Sequence, residues 1–275
     1  MKLFISLISS LLLSTTLVAA STQCEGLYYN NEAPDILNAK FLPKTQELCY
    51  SSFAVMHSGI SRTPLWSAEH LSKEGLRHKT KRSNDFHPED QLSADERAEL
   101  SDYARSGYDR GHMAPAADMG NKQAQHECFT LANMVPQNSA NNRGIWSAIE
   151  GATRHLTNQK GELYVITGPL FIGSKVKRIG RVLVPSKLYK AIYDPSSGEG
   201  GAYLIDNSES NDFEVISIAE IEKISGLTLF PAMKSSAKNK AMDLPDPQAR
   251  NGDSYNNLTN KDIIHLIEKL LKRMF

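Results

Sequence analysis

The sequence predicts an α+β fold in which a mixed or antiparallel sheet forms the core and helices flank it. Three segments are rich in β-branched and aromatic residues and are typical of strands: ELYVITGPLF, RVLVPSKLYKAIYD and GAYLI. PSSGEGG predicts the turn between the last two. Helical patterns do not alternate with these strands, which argues against a doubly wound parallel sheet. The chain also contains no glycine-rich phosphate loop and no dinucleotide-binding fingerprint.

The first 20 residues, MKLFISLISSLLLSTTLVAA, have the pattern of a secretory signal peptide. One lysine precedes an apolar, hydroxyl-rich run that ends in Val-Ala-Ala, and the run is short and serine-rich for a transmembrane span. An uncleaved anchor is the alternative. We therefore expect a secreted or periplasmic protein that does not contact a membrane after cleavage, and the sequence indicates no particular protein partner.

An exported protein can form disulfides, because these bonds persist in oxidising compartments, and this chain has three cysteines. Cys24 and Cys49 lie close to the mature N-terminus and Cys128 lies far from both, so a Cys24–Cys49 bridge is the simplest pairing. The spacing does not settle that pairing. Cys128 stands in the apolar string CFTLAN and is expected to be a buried free thiol.

The chain has 275 residues, with 31 basic and 31 acidic side chains that cancel, so net charge identifies no partner. A polyanion would need a local basic surface, and the densest candidate is the run from Lys73 to Arg82. A solvated charged face is the alternative for that run. We expect a signal peptide (1–20) and one domain (21–275), divided into an extension with a possible disulfide (21–52), a core (53–231) and a helical C-terminal segment (232–275).

Further elements can be placed in chain order. CYSSFAVMHSG alternates like a strand. Ser217-Ile-Ala-Glu220 is a capping box that predicts a helix ending near Gly226, and Thr259-Asn-Lys-Asp262 predicts a last helix. The apolar stripe of that last helix includes Ile263, Ile267, Leu270 and Met274.

The stretch SGYDRGHMAPAADM places Asp109, Arg110 and His112 together between glycines and an apolar tail. Burying such groups without partners costs several kcal/mol each. They are therefore either paired structurally or part of a reactive site.

The segment from Asn142 onward predicts a helix whose core stripe is Ile145, Ile149, Ala152 and Leu156. Asn142, Glu150 and Arg154 would lie within about 120° of one another on a neighbouring face. An amide oxygen suits Mg²⁺, a carboxylate can orient water around the ion, and arginines grip phosphate oxygens in pairs. With His112 neutral and able to accept a proton, this set predicts metal-assisted phosphodiester hydrolysis.

The joint pattern DRGHMAPAAD, NMVPQN and NNRGIWSAIE resembles the DNA/RNA non-specific endonucleases of the ββα-metal (His-Me finger) class. The resemblance runs from about Phe53 to Pro231, and YVITGP and SIAEIEKISGLTLFP also fit it. It implies a ββα-metal motif, Mg²⁺ as cofactor with Mn²⁺ as a substitute, and DNA and RNA as substrates cut with little sequence preference. The cysteine-bearing N-terminal extension and the charged C-terminal helix depart from the family's pattern.

The resemblance also implies individual roles for the matching residues. His112 matches the general base and Asn142 the protein ligand of the metal. Glu150 matches the carboxylate that orients water at the metal. The remaining matches are the two arginines at the scissile phosphate, Arg110 and Arg154, and the motif's opening acid, Asp109. Two further matches are expected to bind substrate: Arg82 and a supporting asparagine, Asn133.

Several other interpretations stay open at this point. His112 can be structural, Arg110 can pair with Asp109 or Asp118, and Glu150 with Arg154 can form an i, i+4 salt bridge. A zinc site built from His112, His126 and Cys128 lacks a recognised ligand spacing, and no GxSxG elbow supports a serine hydrolase. The alternative functions are an exported nucleic-acid-binding module that does not cut and a phosphodiesterase acting on small substrates.

Overall fold

The computed structural model describes residues 24–247. The predicted signal peptide and the predicted last helix lie outside the described residues. The strands are β1 (Asp35–Ile36), β2 (Thr45–Cys49), β3 (Ala54–Ser58), β4 (Thr63–Ser72), β5 (Tyr108–His112), β6 (Met134–Asn138), β7 (Glu162–Leu170), β8 (Arg178–Ile179), β9 (Val182–Leu183), β10 (Lys187–Asp194), β11 (Glu199–Asp206), β12 (Phe213–Ile216) and β13 (Leu227–Thr228).

The helices are α1 (Leu100–Tyr103), α2 (Lys122–Cys128), α3 (Ser139–Asn141), α4 (Ser147–Lys160), α5 (Ile218–Ser225) and α6 (Ser235–Lys238). A π turn, Asn142–Trp146, joins α3 to α4. None of the helices between residues 24 and 247 has the length and apolar character needed to cross a membrane.

A seven-stranded sheet forms the centre of the fold, in the order β12-β11-β10-β7-β4-β3-β2. All of its ladders are antiparallel, which confirms the predicted α+β class. Its central strands are buried on both faces: along β10, Tyr189 and Ala191 face one apolar cluster while Leu188 and Ile192 face another. Helix α5 covers the first face and α4 the second.

The predicted extension is part of this sheet. Strand β2 pairs with β3 along the edge, and β1 pairs with β13 at the far end of the chain. The expected boundary at residue 52 therefore falls inside the hairpin of β2 and β3. The Cys24–Cys49 disulfide, with its Cα atoms 5.2 Å apart, confirms the simplest pairing.

Two predicted elements are interrupted. RVLVPSKLYKAIYD forms two strands, β9 and β10, because Pro185 between them has no N–H to donate to a ladder. The helix predicted from Asn142 is broken by the π turn, where Gly144 adopts non-helical dihedrals (φ −103°, ψ −109°). The capping box at Ser217 and the helix end at Gly226, which has φ 71°, are confirmed.

Candidate active site

A two-stranded ribbon of β5 and β6 carries the DRGH motif and lies next to the π turn and α4. Side chains alternate along a strand, so Arg110 and His112 point to one face of β5 and Asp109 to the other. Position 111 of β5 requires a glycine, because a Cβ there would lie 2.6 Å from the Cβ of Gln137 on the paired strand β6. This β-β-α arrangement confirms the predicted motif.

His112 is buried, with 7 % of its surface exposed, and its ring packs edge-on against Phe129 at 4.7 Å between centroids. Its Nε2 has no hydrogen-bond partner among residues 24–247. Burial, with the charges of Arg82 and Arg110, lowers the pKa of His112 to about 3. The imidazole is therefore neutral near pH 7 and carries an unused nitrogen.

Asp109 points to the other face of β5, where it holds side chains of α3 and the π turn. Its carboxylate accepts hydrogen bonds from Ser139 Oγ (2.9 Å), Asn142 Nδ2 (3.0 Å) and Arg143 Nε and NH2 (both 2.9 Å). Burial by itself would raise the pKa of Asp109, but these hydrogen bonds outweigh it and the pKa lies below its usual value. The carboxylate is charged and fully engaged, so Asp109 positions its neighbours.

Asn142 is half-buried at the start of the π turn. Because its Nδ2 donates to Asp109, the orientation of its amide is set and the Oδ1 atom is left as a neutral oxygen donor. Such an oxygen suits a hard cation that keeps most of its waters. The donor chemistry therefore fits the metal that the resemblance implies.

The salt bridge between Glu150 and Arg154, the alternative interpretation of these two residues, does not form. Arg154 NH1 instead donates to Asp118 Oδ1 at 2.9 Å, on the loop that follows His112. Glu150 makes no hydrogen bond or ion pair with the other described residues. Burial raises its pKa to about 7, against the opposing charge of Lys190 and with the help of Asp118.

Two predicted arginines, Arg82 and Arg110, stack on the aromatic rings that pack against His112. The Arg110 guanidinium carbon lies 4.0 Å from the centroid of the Phe86 ring, and Arg82 lies 4.9 Å from that of Phe129. Arg110 forms neither of the ion pairs considered above, since Asp109 pairs with Arg143 and Asp118 with Arg154. Its charge is therefore available to a ligand.

A cleft of about 530 Å³ opens in front of these groups. Its lining includes four of the eight predicted site residues, and also two arginines that the sequence did not single out. Its basic and amide lining consists of Arg82, Arg105, Arg110, Asn142 and Arg143. The adjacency of Arg143 to Asn142 in NNRG was a usable signal for one of these, whereas nothing in the sequence indicated Arg105.

Asn133 has a structural role. It is fully buried, its Oδ1 accepts from Ala114 N (2.9 Å) and Ser67 Oγ (2.9 Å), and its Nδ2 donates to the carbonyls of Ala114 and Cys128. Every polar atom of the amide is used, so contact with substrate is excluded. This corrects the substrate-binding role expected for Asn133: it holds the loop that follows His112.

Cys128 is a buried free thiol, as predicted, and burial raises its pKa to about 12. It donates to the carbonyl of Gln125 at 3.3 Å. Within the described residues, His112, His126 and Cys128 do not form a metal-binding group. His126 lies instead with Asp85 and His87.

Two buried ionisable side chains behind α4 were also absent from the sequence predictions. Lys190, 1 % exposed on β10, donates to Thr167 Oγ1 at 2.7 Å and lies 5.5 Å from the Trp146 ring centroid. Glu69 on β4 is equally buried, and burial raises its pKa well above the usual value. The usable signal was a lysine and a glutamate in the middle of otherwise apolar strands.

Comparisons with known proteins agree with this geometry. The family model for DNA/RNA non-specific endonuclease matches residues 33–236. The mitochondrial nuclease EXOG of Danio rerio is 37 % identical over 209 residues, which cover 67 % of this chain and 61 % of that protein. Nuclease C1 of Cunninghamella echinulata var. echinulata is 34 % identical over 209 residues, covering 67 % and 82 %.

Among solved structures, EndoG in its complex with EndoGI superimposes with a TM-score of 0.64 and 29 % identity, over 71 % of this chain and 89 % of that one. The alignment with the Danio rerio nuclease spans about three fifths of that protein's length. The family match covers most of the described residues and includes the whole ββα site. The chain therefore belongs to the DNA/RNA non-specific endonuclease family.

Proposed function

We propose that this protein is a Mg²⁺-dependent endonuclease that hydrolyses phosphodiester bonds of DNA and RNA with little sequence preference. The observation that carries the proposal is the state of His112, a neutral buried imidazole whose Nε2 has no hydrogen-bond partner among the described residues and whose pKa is lowered by burial and by the charges of Arg82 and Arg110. A base in this state can accept a proton from a water molecule as that water attacks phosphorus.

Arg82 and Arg110 provide the grip on the scissile phosphate. Their charges lower the pKa of the free imidazole, and a bound phosphate neutralises those charges. The pKa of His112 therefore rises once substrate is in place, which strengthens the base at the moment it is needed. Arg154, already held by Asp118 on one side, can offer its remaining N–H groups to the charge that develops on phosphate oxygens.

Asn142 would hold the metal through Oδ1, with Glu150 nearby as the carboxylate that orients water. When bound, Mg²⁺ supplies charge stabilisation at the phosphate and at the departing oxygen. Asp109 keeps the amide of Asn142 facing the right way, and Asn133 fixes the loop between His112 and Asp118. The donor set is thus oriented by the protein before substrate arrives.

Little sequence preference is expected because the cleft is lined with arginines, which contact phosphates, and phosphate contacts carry no base information directly. The relatives named as nucleases support the same class of reaction. A phosphodiesterase for small substrates would share the chemistry without needing the extended basic lining.

The direct test is cleavage of supercoiled plasmid and of RNA by purified protein in Mg²⁺ and in EDTA, beside the His112→Ala variant. Degradation of both polymers that disappears with EDTA and in the variant would support the proposal. Retention of labelled DNA at low salt without any cleavage would instead assign the chain to the non-cutting, nucleic-acid-binding class.

We also propose that the protein is exported. Support comes from the signal-like residues 1–20 and from the Cys24–Cys49 disulfide, a bond typical of oxidising compartments. The chain mass from an extracytoplasmic fraction should correspond to a start near residue 21. Recovery of the intact chain from the cytoplasm alone would contradict export.

A further inference from the structure

A histidine pair with one carboxylate lies beside the cleft and has no part in the chemistry proposed above. One ligand atom from each of Asp85, His87 and His126 lies within 4.8 Å of the others. His126 Nδ1 is 2.8 Å from Asp85 Oδ2, and the two imidazole rings are stacked 4.4 Å apart at 11°. The cluster is open to solvent, with His87 half-buried.

The backbone holds the two histidines in fixed places. His87 N donates to the Phe129 carbonyl (3.3 Å), and the His87 carbonyl accepts from Leu131 N (2.8 Å). His126 is on α2, whose first turn is capped by Asn121 accepting from Ala124 N at 2.9 Å. The backbone therefore needs no ordering before a ligand binds, but the two stacked rings have to rotate about their side-chain torsions so that both lone pairs point at one ion.

The tautomer of His87 is also set. Its Nδ1 lies 2.7 Å from the Asp85 carbonyl, and since a carbonyl can only accept, Nδ1 must carry the proton. The Nε2 atom is then left with its lone pair. A backbone carbonyl that fixes Nδ1–H is the arrangement found behind metal-bound histidines.

We propose that Asp85, His87 and His126 form a binding site for a borderline divalent cation, with Zn²⁺ as its representative. Two imidazoles and one carboxylate suit Zn²⁺, whereas Mg²⁺ prefers oxygen ligands. Binding would replace the hydrogen bond between His126 Nδ1 and Asp85 Oδ2 with two bonds to the metal, the proton of that hydrogen bond would pass to solvent, and water would complete the coordination. This site is separate from the Mg²⁺ site and does not depend on the proposed nuclease reaction.

The position of the site gives it a structural consequence. Phe86 lies between two of the ligands in sequence, and its ring supports Arg110 at 4.0 Å and lies 5.8 Å from the ring of His112. A cation bound here joins this segment to α2. It therefore stabilises one wall of the cleft without entering the cleft.

The test is calorimetric titration of metal-free, full-length protein with Zn²⁺ in saturating Mg²⁺, together with thermal unfolding with and without Zn²⁺. Wild type should bind one Zn²⁺ and unfold at a higher temperature in its presence, because the ligand binds the folded state. His126→Gln and His87→Gln should each weaken Zn²⁺ binding by at least about tenfold. Removing a residue that only supports a metal ligand already costs about that much affinity, and these residues are the ligands themselves.

Two controls separate this site from others. His155→Gln removes an exposed histidine on α4 that contacts Gln159, and it should leave Zn²⁺ binding unchanged. His112→Ala removes the other imidazole near the cleft and should also leave it unchanged. Binding that is lost in His112→Ala but kept in His126→Gln would overturn the proposal, as would the absence of Zn²⁺ binding in wild type.

Discussion

The two ends of β5 hold ionisable side chains in opposite states. Asp109, at the start of the strand, accepts hydrogen bonds from three side chains, whereas the Nε2 atom of His112, at its end, accepts none from the described residues. The difference separates two tasks. The carboxylate uses its hydrogen bonds to orient Asn142, whereas in the proposed reaction the unpartnered imidazole would accept a proton from the attacking water.

The largest loss of activity is expected at His112, the end of β5 whose Nε2 has no hydrogen-bond partner among the described residues. His112→Ala should lower kcat by about 10²- to 10⁴-fold, the usual contribution of a positioned general base. Initial rates of plasmid relaxation measure the loss, and circular dichroism at pH 7 checks that the fold is kept. Near-normal rates in a folded variant would remove His112 from the reaction.

A smaller loss of activity is expected at Asp109, the end of β5 whose carboxylate accepts hydrogen bonds from three side chains. Asp109→Asn keeps the shape but removes the charge that holds Arg143 and Asn142, so kcat/KM should fall by about 10- to 100-fold. The Mg²⁺ concentration for half-maximal rate should rise as well, since the amide of Asn142 is no longer held in one orientation. Ser139→Ala, which removes one of the three donors, is the matched control and should cost less. An unchanged Mg²⁺ titration in Asp109→Asn would contradict the orienting role.

As the pH falls, the contributions of His112 and Asp109 to the stability of the fold should be lost in different pH ranges. The folded pKa of His112 is about 3 against an ordinary 6.5, so its stabilisation is complete above pH 6.5 and is lost as the pH falls toward 3. The folded pKa of Asp109 lies below 3.8, so its contribution is complete above that value and is lost only below it.

Urea unfolding between pH 7 and pH 4 tests this difference. His112→Ala should reduce the slope of unfolding free energy by up to about 1.4 kcal/mol per pH unit in that window, the value for one proton. Asp109→Asn should leave that slope unchanged. The reverse pattern would show that the buried imidazole is not the group that titrates.

The smallest effect is expected for Arg143→Ala. The side chain of Arg143 is 74 % exposed, so its ion pair with Asp109 is screened by solvent. We expect less than about a fivefold change in kcat/KM at physiological salt, and a weaker dependence of KM on salt concentration. A loss as large as that of Asp109→Asn would show that the orienting function belongs to the arginine.

Local patterns predicted much of the fold correctly. The capping box at Ser217, the strand pattern of YVITGP and the turn PSSGEGG each depend on interactions within a few residues, and all are present. The strand break at Pro185 is also a local property, because proline has no N–H to donate to a ladder. The apolar composition of RVLVPSKLYKAIYD nevertheless favours one continuous strand, which is what we predicted.

The partners of the site residues were less predictable. Arg154 bonds Asp118 rather than Glu150, and Asn133 bonds the loop after His112 instead of facing substrate. Both partners are brought close by the packing of β6 and α4 against the sheet. Helical spacing can say which residues share a face, but not which group from another element meets that face.

The sequence by itself determined the α+β class and the DRGH motif, and it supplied the candidates for the base and the amide ligand, because these depend on side-chain chemistry and short-range periodicity. Only the tertiary structure decided which groups are saturated. Burial and contacts between distant segments leave Nε2 of His112 free, engage every acceptor of Asp109, and raise the pKa of Glu150 to about 7. Those states arise from desolvation and from neighbours far away in the chain, which no local pattern records.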